Sequence, residues 1–374
     1  MNPLRQLTLD QLRTRDSEKW RTYPADVLPL FVAEMDVPLA EPIVRAVTDA
    51  VRRGNTGYPA GNEYALAMAD FARRRWGWDG VAVERAAVAP DVMYGIVGVL
   101  RALGAATVVI NSPVYAPFYS FIRHIGAEVS EAPLGDDGRI DLETLEAAFR
   151  RGGERTVYLL CSPHNPTGTV HTPAELTDVA ALAARHHVRV VADEIHGPLV
   201  LPGAAFTPYL MVAGSENGFS VLSASKAWNL AGLKAALVIA GEKAPERPPA
   251  FANEPSHVGV IAHVAALRDG GAWLDDLLAG LDDNRRLLAE LLAATMPAVR
   301  YRPGEGTYLA WLDCRDLGLG DDPAAVFLAK ARVALNSGPT FGSGGAGHVR
   351  LNFATSPEVI EQAVDRMGRI EACM

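Results

Sequence analysis

The chain has 374 residues, 49% of them apolar and 21% charged, with 35 basic residues against 44 acidic ones and a net charge of −9. That balance describes a globular protein with a large core; it excludes a fibre, a coiled coil and a disordered polar tail, and it disfavours a polyanion such as nucleic acid as partner. The three cysteines, Cys161, Cys314 and Cys373, form no CxxC pair, which argues against a disulfide framework or a cysteine-built zinc site and fits a reducing compartment.

At roughly 100–200 residues per domain, this length predicts two or three domains, or one large α/β unit with an appendage. The first twenty residues lack the apolar core of a signal peptide, and no segment offers about 18 uninterrupted apolar residues. The expectation is a cytoplasmic protein without membrane contact.

In chain order, an irregular entry leads to a helix in EPIVRAVTDAVRRG. Pro42 suits an early helical position, Ile43, Val44, Val47 and Val51 share a face, and Gly54 ends the run. After the turn Gly57 to Gly61, helices are predicted near 62–76 and 91–103, a strand at ATVVI, and helices near 114–125 and 141–150. Strands follow at TVYLL (156–160), VRVVA (188–192), FSVLSAS (219–225) and AALVIA (235–240), with a helix near 173–186 between the first two. Such short aliphatic runs without polar alternation indicate strands covered on both faces, as in a largely parallel sheet. The proline-rich 241–251 reads as a connection, with helices near 256–268 and 271–295. From about 297 the pattern changes to VRYRP, GTYLAWLD, a helix near 322–331, a glycine-rich 342–347, HVRLNFA and a closing helix, which reads as a smaller α+β domain.

Ligands of open α/β sheets bind at the carboxyl ends of strands. Here those ends carry Ser162-Pro163-His164-Asn165, Asp193-Glu194 and Ser223-Ala224-Ser225-Lys226. A lysine held between an apolar strand and a glycine turn can be desolvated, which lowers its pKa and frees the amine for Schiff-base chemistry. Asp193 ends the neighbouring strand. A pyridoxal phosphate enzyme needs both groups, the lysine to carry the cofactor and a carboxylate to keep the pyridine nitrogen protonated.

With Ser162-Pro163-His164-Asn165-Pro166-Thr167-Gly168, Asp193-Glu194-Ile195-His196 and Ser223-Ala224-Ser225-Lys226 in this order, the chain resembles the fold-type I pyridoxal phosphate enzymes of the class I/II aminotransferase superfamily. Within them it is similar to the cystathionine β-lyase, or C–S lyase, branch. That branch is marked by Val32-Ala33-Glu34-Met35-Asp36, Asn55-Thr56-Gly57-Tyr58-Pro59 and the histidine at 196, where ordinary aminotransferases usually have tyrosine. The resemblance covers essentially the whole chain. It implies an α/β fold whose large domain has a mostly parallel seven-stranded sheet covered by helices, with a smaller α+β domain beside it. Residues 1–45 would join the small domain, 46–270 form the large cofactor domain, and 271–374 complete the small one.

The resemblance further implies that Lys226 carries the cofactor and Asp193 pairs with its ring nitrogen. Asn165 would bond the phenolic oxygen, with His196 nearby, and Tyr115 would stack on the ring. The phosphate would lie on the backbone amides of Val92 and Met93 at a helix start, where the dipole favours an anion, with Ser223 and Lys234 closing round it. Tyr58 would reach the phosphate of a neighbouring subunit, implying a homodimer with shared active sites. Arg350 would clamp the substrate α-carboxylate, assisted by the backbone near Ala33.

The chain departs from the family pattern at several points on the substrate side. Glu34 replaces the usual aspartate, Lys234 stands where aminotransferases commonly have arginine, and Phe31 and Val37 replace the residues usual at those positions in the lyases. A lysine neutralises phosphate as a point charge but lacks the planar fork. The implied function is β-elimination from cystathionine or another cysteine S-conjugate. Alternatives are an aminotransferase, a biosynthetic lyase or oxidative deaminase acting on a larger conjugate, and a non-catalytic cofactor-binding module.

Other signals carry less. Gly342 to Gly347 matches G-x-G-x-x-G, but a strand follows it rather than a helix, so it reads as a flexible loop near the substrate entrance. His186-His187 lacks metal-ligand spacing, and no metal site is expected. No G-x-S-x-G elbow surrounds Ser162 or Ser223. Arg73-Arg74-Arg75 reads as a solvated face beyond a helix end.

Overall fold

The structure is a computed structural model that describes residues 1–244, 249–251 and 254–371. The connection expected over 241–251 lies partly outside the described residues, as does Cys373.

Seven strands form the large sheet: β1 (Ala86–Ala89), β2 (Thr107–Ile110), β3 (Glu128–Glu131), β4 (Thr156–Cys161), β5 (Arg189–Asp193), β6 (Phe219–Leu222) and β7 (Ala236–Ala240). Their order is β1-β7-β6-β5-β4-β2-β3, and every pairing is parallel except those of β7 with β1 and with β6. All six residues of β4 are buried, as are the four of β2 and of β6. The unalternated aliphatic runs therefore do mark strands covered on both faces. The helices α1 (Glu41–Arg52), α2 (Glu63–Trp76), α3 (Val92–Ala102), α4 (Pro117–His124), α5 (Leu142–Gly152), α6 (Pro173–Arg185) and α7 (His257–Asp269) belong to this part of the chain. Asp91 caps α3 by accepting from Tyr94 N (2.9 Å), and Thr172 and Glu175 form a capping box on α6.

The chain then enters the 25-residue helix α8 (Gly271–Thr295), and a second sheet follows. Its strands β8 (Arg300–Tyr301), β9 (Leu309–Asp313), β10 (Asn336–Ser337) and β11 (His348–Asn352) lie antiparallel in the order β10-β11-β9-β8. Helix α9 (Pro357–Glu371) closes the fold and packs on α8. The amino-terminal segment joins this unit. Leu28–Pro29 pairs with Val333–Ala334, and Asn352 N donates to Leu30 O (2.9 Å). Beneath it Lys19 and Asp36 form a buried ion pair at 2.8 Å, with Trp20 Nε1 donating to the other carboxylate oxygen (2.9 Å).

The local outcomes differ from expectation at definable places. The strand read over 219–225 ends at Leu222, and Ser223 to Lys226 turn away from it. The helix read over 322–331 is one α-turn, Pro323–Val326, widening to a π-turn over Phe327–Ala331 and ended by Arg332 at φ 58°. The arginine triplet sits inside the last turn of α2 rather than beyond it. Arg74 donates to Leu267 O (3.1 Å) and Arg75 pairs with Asp275 (2.6 Å), so two of the three tie α2 to α7 and α8.

Candidate active site

Parallel β4, β5 and β6 end at one edge of the sheet, and the residues after them converge there. β7 runs the other way, so its first residues, next to Lys234, reach the same edge, as does α3 from the end of β1. A cavity of about 550 Å³ opens at this edge. Ala33, Val92, Met93, Tyr115, Asn165, Asp193, His196, Lys226, Lys234 and Arg350 all line it.

Two predicted residues do not. Ser223 is buried, and its hydroxyl donates to Ala235 O (2.8 Å); the serine on the cavity wall is Ser225. The early end of β6 accounts for this, because it moves the exposed position two residues on. Tyr58 is 76% exposed and lies outside the cavity of its own chain.

The half-buried amine of Lys226 donates to Ala33 O (2.9 Å). Burial, with the Arg350 charge next in effect, lowers its pKa from 10.5 to about 8, against the pull of Glu34, Asp193 and Glu18. Asp193 is 4% exposed and accepts Ile195 N–H at 3.1 Å. Burial pushes its carboxyl up to about 7, against that hydrogen bond and the Lys226 charge. His196 is buried with Nδ1 unpartnered, and burial pushes it down to about 3, so the ring is neutral.

Arg350 is buried on β11. It donates Nη1 to Asn165 Oδ1 (3.0 Å) and Nη2 to Phe31 O (3.0 Å), packs over the Phe341 ring (5.2 Å) and leaves Nε unpartnered. Burial lowers its pKa to about 10, which leaves it a cation at neutral pH. At the opposite end Lys234 pairs with Asp91 (3.0 Å) beside the first turn of α3, whose leading N–H groups have no partner within the helix.

The amino-terminal segment forms the roof. Asn229, at φ 56°, takes Met35 N–H on its Oδ1 (2.8 Å) and donates to Met35 O (3.0 Å). Asn352 donates to Val32 O (2.8 Å) and Glu34 O (2.6 Å). Tyr308 donates its hydroxyl to Ala33 O (2.9 Å), the same oxygen that accepts from Lys226. Neither Tyr308 nor Asn352 was singled out by the sequence reading. The available signal was a polar aromatic and an amide set within the apolar runs GTYLAWLD and HVRLNFA.

The set fits pyridoxal phosphate. A buried carboxylate that forms no ion pair among the described residues suits a protonated ring nitrogen. Open helix N–H groups beside a lysine suit a phosphate. Arg350 Nε and His196 Nδ1 are buried polar atoms still needing partners. Among the described residues no cluster of metal-ligating side chains occurs. His186 Nε2 lies against Glu146 (2.9 Å) instead. In the loop 342–347, Ser343 N–H points at Glu131 (3.4 Å) and Gly347 N–H donates to Asp321 O (2.8 Å), while beside it Tyr119 donates to the Glu131 carboxylate and to Phe341 O (3.2 Å).

Comparison with known proteins adds the following. Residues 25–367 match the model of the family described as aminotransferase class I and II. A Mycobacterium tuberculosis protein named "putative cystathionine beta-lyase" is 54% identical, with 98% of each chain covered. A Corynebacterium glutamicum protein named cystathionine beta-lyase is 33% identical over 97% of this chain and 98% of its own. The crystal structure of a Corynebacterium diphtheriae protein described as a "putative plp-dependent beta-cystathionase" superposes with a TM-score of 0.90 at 35% identity, covering 98% of each chain.

Proposed function

We propose that this chain, which belongs to the aminotransferase class I and II family, is a pyridoxal phosphate-dependent carbon–sulfur β-lyase that acts on cystathionine or another cysteine S-conjugate. The products are a thiol, pyruvate and ammonia. The observation that carries the reading is one cavity holding a lysine amine near its neutral range, a buried carboxylate and a buried arginine, in a chain sharing 54% of its residues with a relative of that name.

When bound, pyridoxal phosphate supplies an electron sink for the charge left at the substrate Cα. Asp193 would hold the proton on the ring nitrogen, Asn165 and His196 would face the phenolic oxygen, and Tyr115 would cover one ring face. Val92 N–H, Met93 N–H, Ser225 and Lys234 would hold the phosphate, with Ser225 in the part that the resemblance gives to Ser223. Arg350 would fix the substrate carboxylate through a planar fork. Lys226 is the proton carrier: with its pKa lowered to about 8, a substantial fraction of the amine is neutral just above neutrality and able to take the Cα proton. Ala33 O fixes the direction of that amine by accepting its hydrogen bond. Exclusion of water falls to the 31–36 roof.

Incubation with cystathionine or another S-substituted cysteine, without any 2-oxo acid, should release thiol and pyruvate in equal amounts. Turnover that occurs only as amino transfer to a 2-oxo acid would sink the lyase reading in favour of an aminotransferase.

The working form on this reading is a cytoplasmic homodimer, and the chain divides into 1–45 and 271–374 around a cofactor domain at 46–270. Support for the dimer comes from exposed apolar side chains along 39–66, namely Leu39, Val44, Val51, Tyr58 and Leu66. Sedimentation that finds only monomer at micromolar concentration would contradict it. Among the described residues no helix is long and apolar enough to cross a membrane.

A further inference from the structure

Arg350 and Asn165 meet inside the cavity but belong to different sheets, Arg350 to β11 and Asn165 to the loop after β4. Their registry therefore depends on how the two units dock, and one contact concentrates that docking. The loop 302–307 between β8 and β9 lies across the loop that carries Asn165. Glu305 N and Gly306 N both donate to Gly168 O (2.8 and 2.9 Å), Leu201 N donates to Glu305 O (2.9 Å) and Thr307 N to Leu199 O (2.8 Å). The backbones approach so closely that a Cβ on Gly168 would stand 2.9 Å from Gly306 O. Glu305 then keys its side chain into the larger unit. Oε1 accepts from Arg139 Nη2 (2.8 Å) and Oε2 from Val170 N (2.9 Å). Arg139 is itself braced by Glu175 (2.9 Å), which caps α6.

Both ends of this clasp lead into the cavity. Gly168 is three residues from Asn165. Glu305 is three residues from Tyr308, whose hydroxyl bonds the Ala33 oxygen that receives the Lys226 amine. Neither Glu305 nor Arg139 lines the cavity.

We propose that Glu305, held by Arg139, is a positioning residue that sets Arg350 against Asn165 and so governs binding of the amino-acid substrate. The inference rests on the assignment of Arg350 to the substrate carboxylate. Replacing Glu305 by Gln keeps an acceptor for Val170 N–H and removes the ionic hold on Arg139.

The test uses full-length, cofactor-loaded protein and two readouts. L-Alanine carries the amine and carboxylate but no leaving group, so its Kd, read from the visible cofactor spectrum, is independent of carbon–sulfur cleavage. In E305Q the alanine Kd and the KM for S-substituted cysteine should rise together, roughly 3- to 10-fold, the scale for losing a half-exposed, hydrogen-bonded ion pair. The kcat should stay within about twofold. R139Q should behave alike, and the double variant should be no worse than the poorer single one, because the two act as one unit. D316N breaks the exposed Arg300–Asp316 pair on the same unit and should leave Kd unchanged. An unchanged alanine Kd in E305Q and R139Q, with only the melting temperature lowered, would overturn the proposal, as would an equal rise in D316N. Should E305Q fail to fold, R139Q carries the same test. A wild-type protein that cleaves no S-conjugate, yet whose alanine Kd responds as described, would refute the lyase reading and support this one.

Discussion

Replacing Asp193 by Asn tests the electrostatics of the site without the cofactor. The carboxyl is 4% exposed, and its pKa is raised by burial from 3.8 to about 7. Below about 3.8 the folded and unfolded chains both carry the proton. As pH rises from there, the unfolded chain releases it while the folded chain keeps it, so stability falls by about 1.4 kcal/mol per pH unit until the folded group ionises near 7. The whole loss is about 4 kcal/mol. The Asn side chain has the same shape, still accepts Ile195 N–H and has no proton to lose. Urea unfolding of both cofactor-free proteins between about pH 5 and pH 7 should therefore show the wild type losing about 2 kcal/mol relative to D193N across that range. The variant should be the more stable apoprotein and the poorer enzyme, with turnover down by at least about 100-fold once loaded, since nothing then holds a proton on the ring nitrogen. A stability difference that is flat in pH, or that grows in favour of the wild type, would refute the assignment of Asp193 as a strained, buried carboxyl.

Three further outcomes follow from the same geometry. Cofactor loading of apoprotein requires the neutral Lys226 amine, so its rate, followed by visible absorbance, should climb about tenfold per pH unit below about 8 and level off above it. Arg350→Lys keeps the charge but loses the fork that spans Asn165 and Phe31; steady-state kinetics should give a KM raised by about 10- to 100-fold with a smaller change in kcat. Lys19→Met leaves Asp36 buried without its ion-pair partner, and chemical denaturation should report a loss of about 3–5 kcal/mol; a loss under about 1 kcal/mol would mean that water reaches the pair.

The parts of the fold that were legible in the sequence are those whose local pattern coincides with their environment. β4 and β6 are buried throughout and read as plain aliphatic runs. β3, Glu-Val-Ser-Glu, went unread because it is an edge strand with exposed and half-buried positions and needs no apolar run. β1 is Ala-Ala-Val-Ala, whose small side chains give no distinct periodicity. In the site, Lys226, Asp193 and Asn165 could be found because strand ends place them. Tyr308, Asn352 and Glu305 act through contacts spanning 135 to 320 residues, which no local spacing encodes. Ser225 rather than Ser223 faces the cavity because the strand ends at Leu222 and the Ser223 hydroxyl turns inward to Ala235 O, a contact that the local sequence does not encode.

The roof over Lys226 is shared property. Residues 31–36 are held from one side by Arg350 and Asn352 on β11 and by Tyr308, and from the other by Asn229 and by the Lys226 amine itself. The sheet that carries the lysine therefore does not cover it, and selective access to the amine belongs to the two units and the segment laid between them.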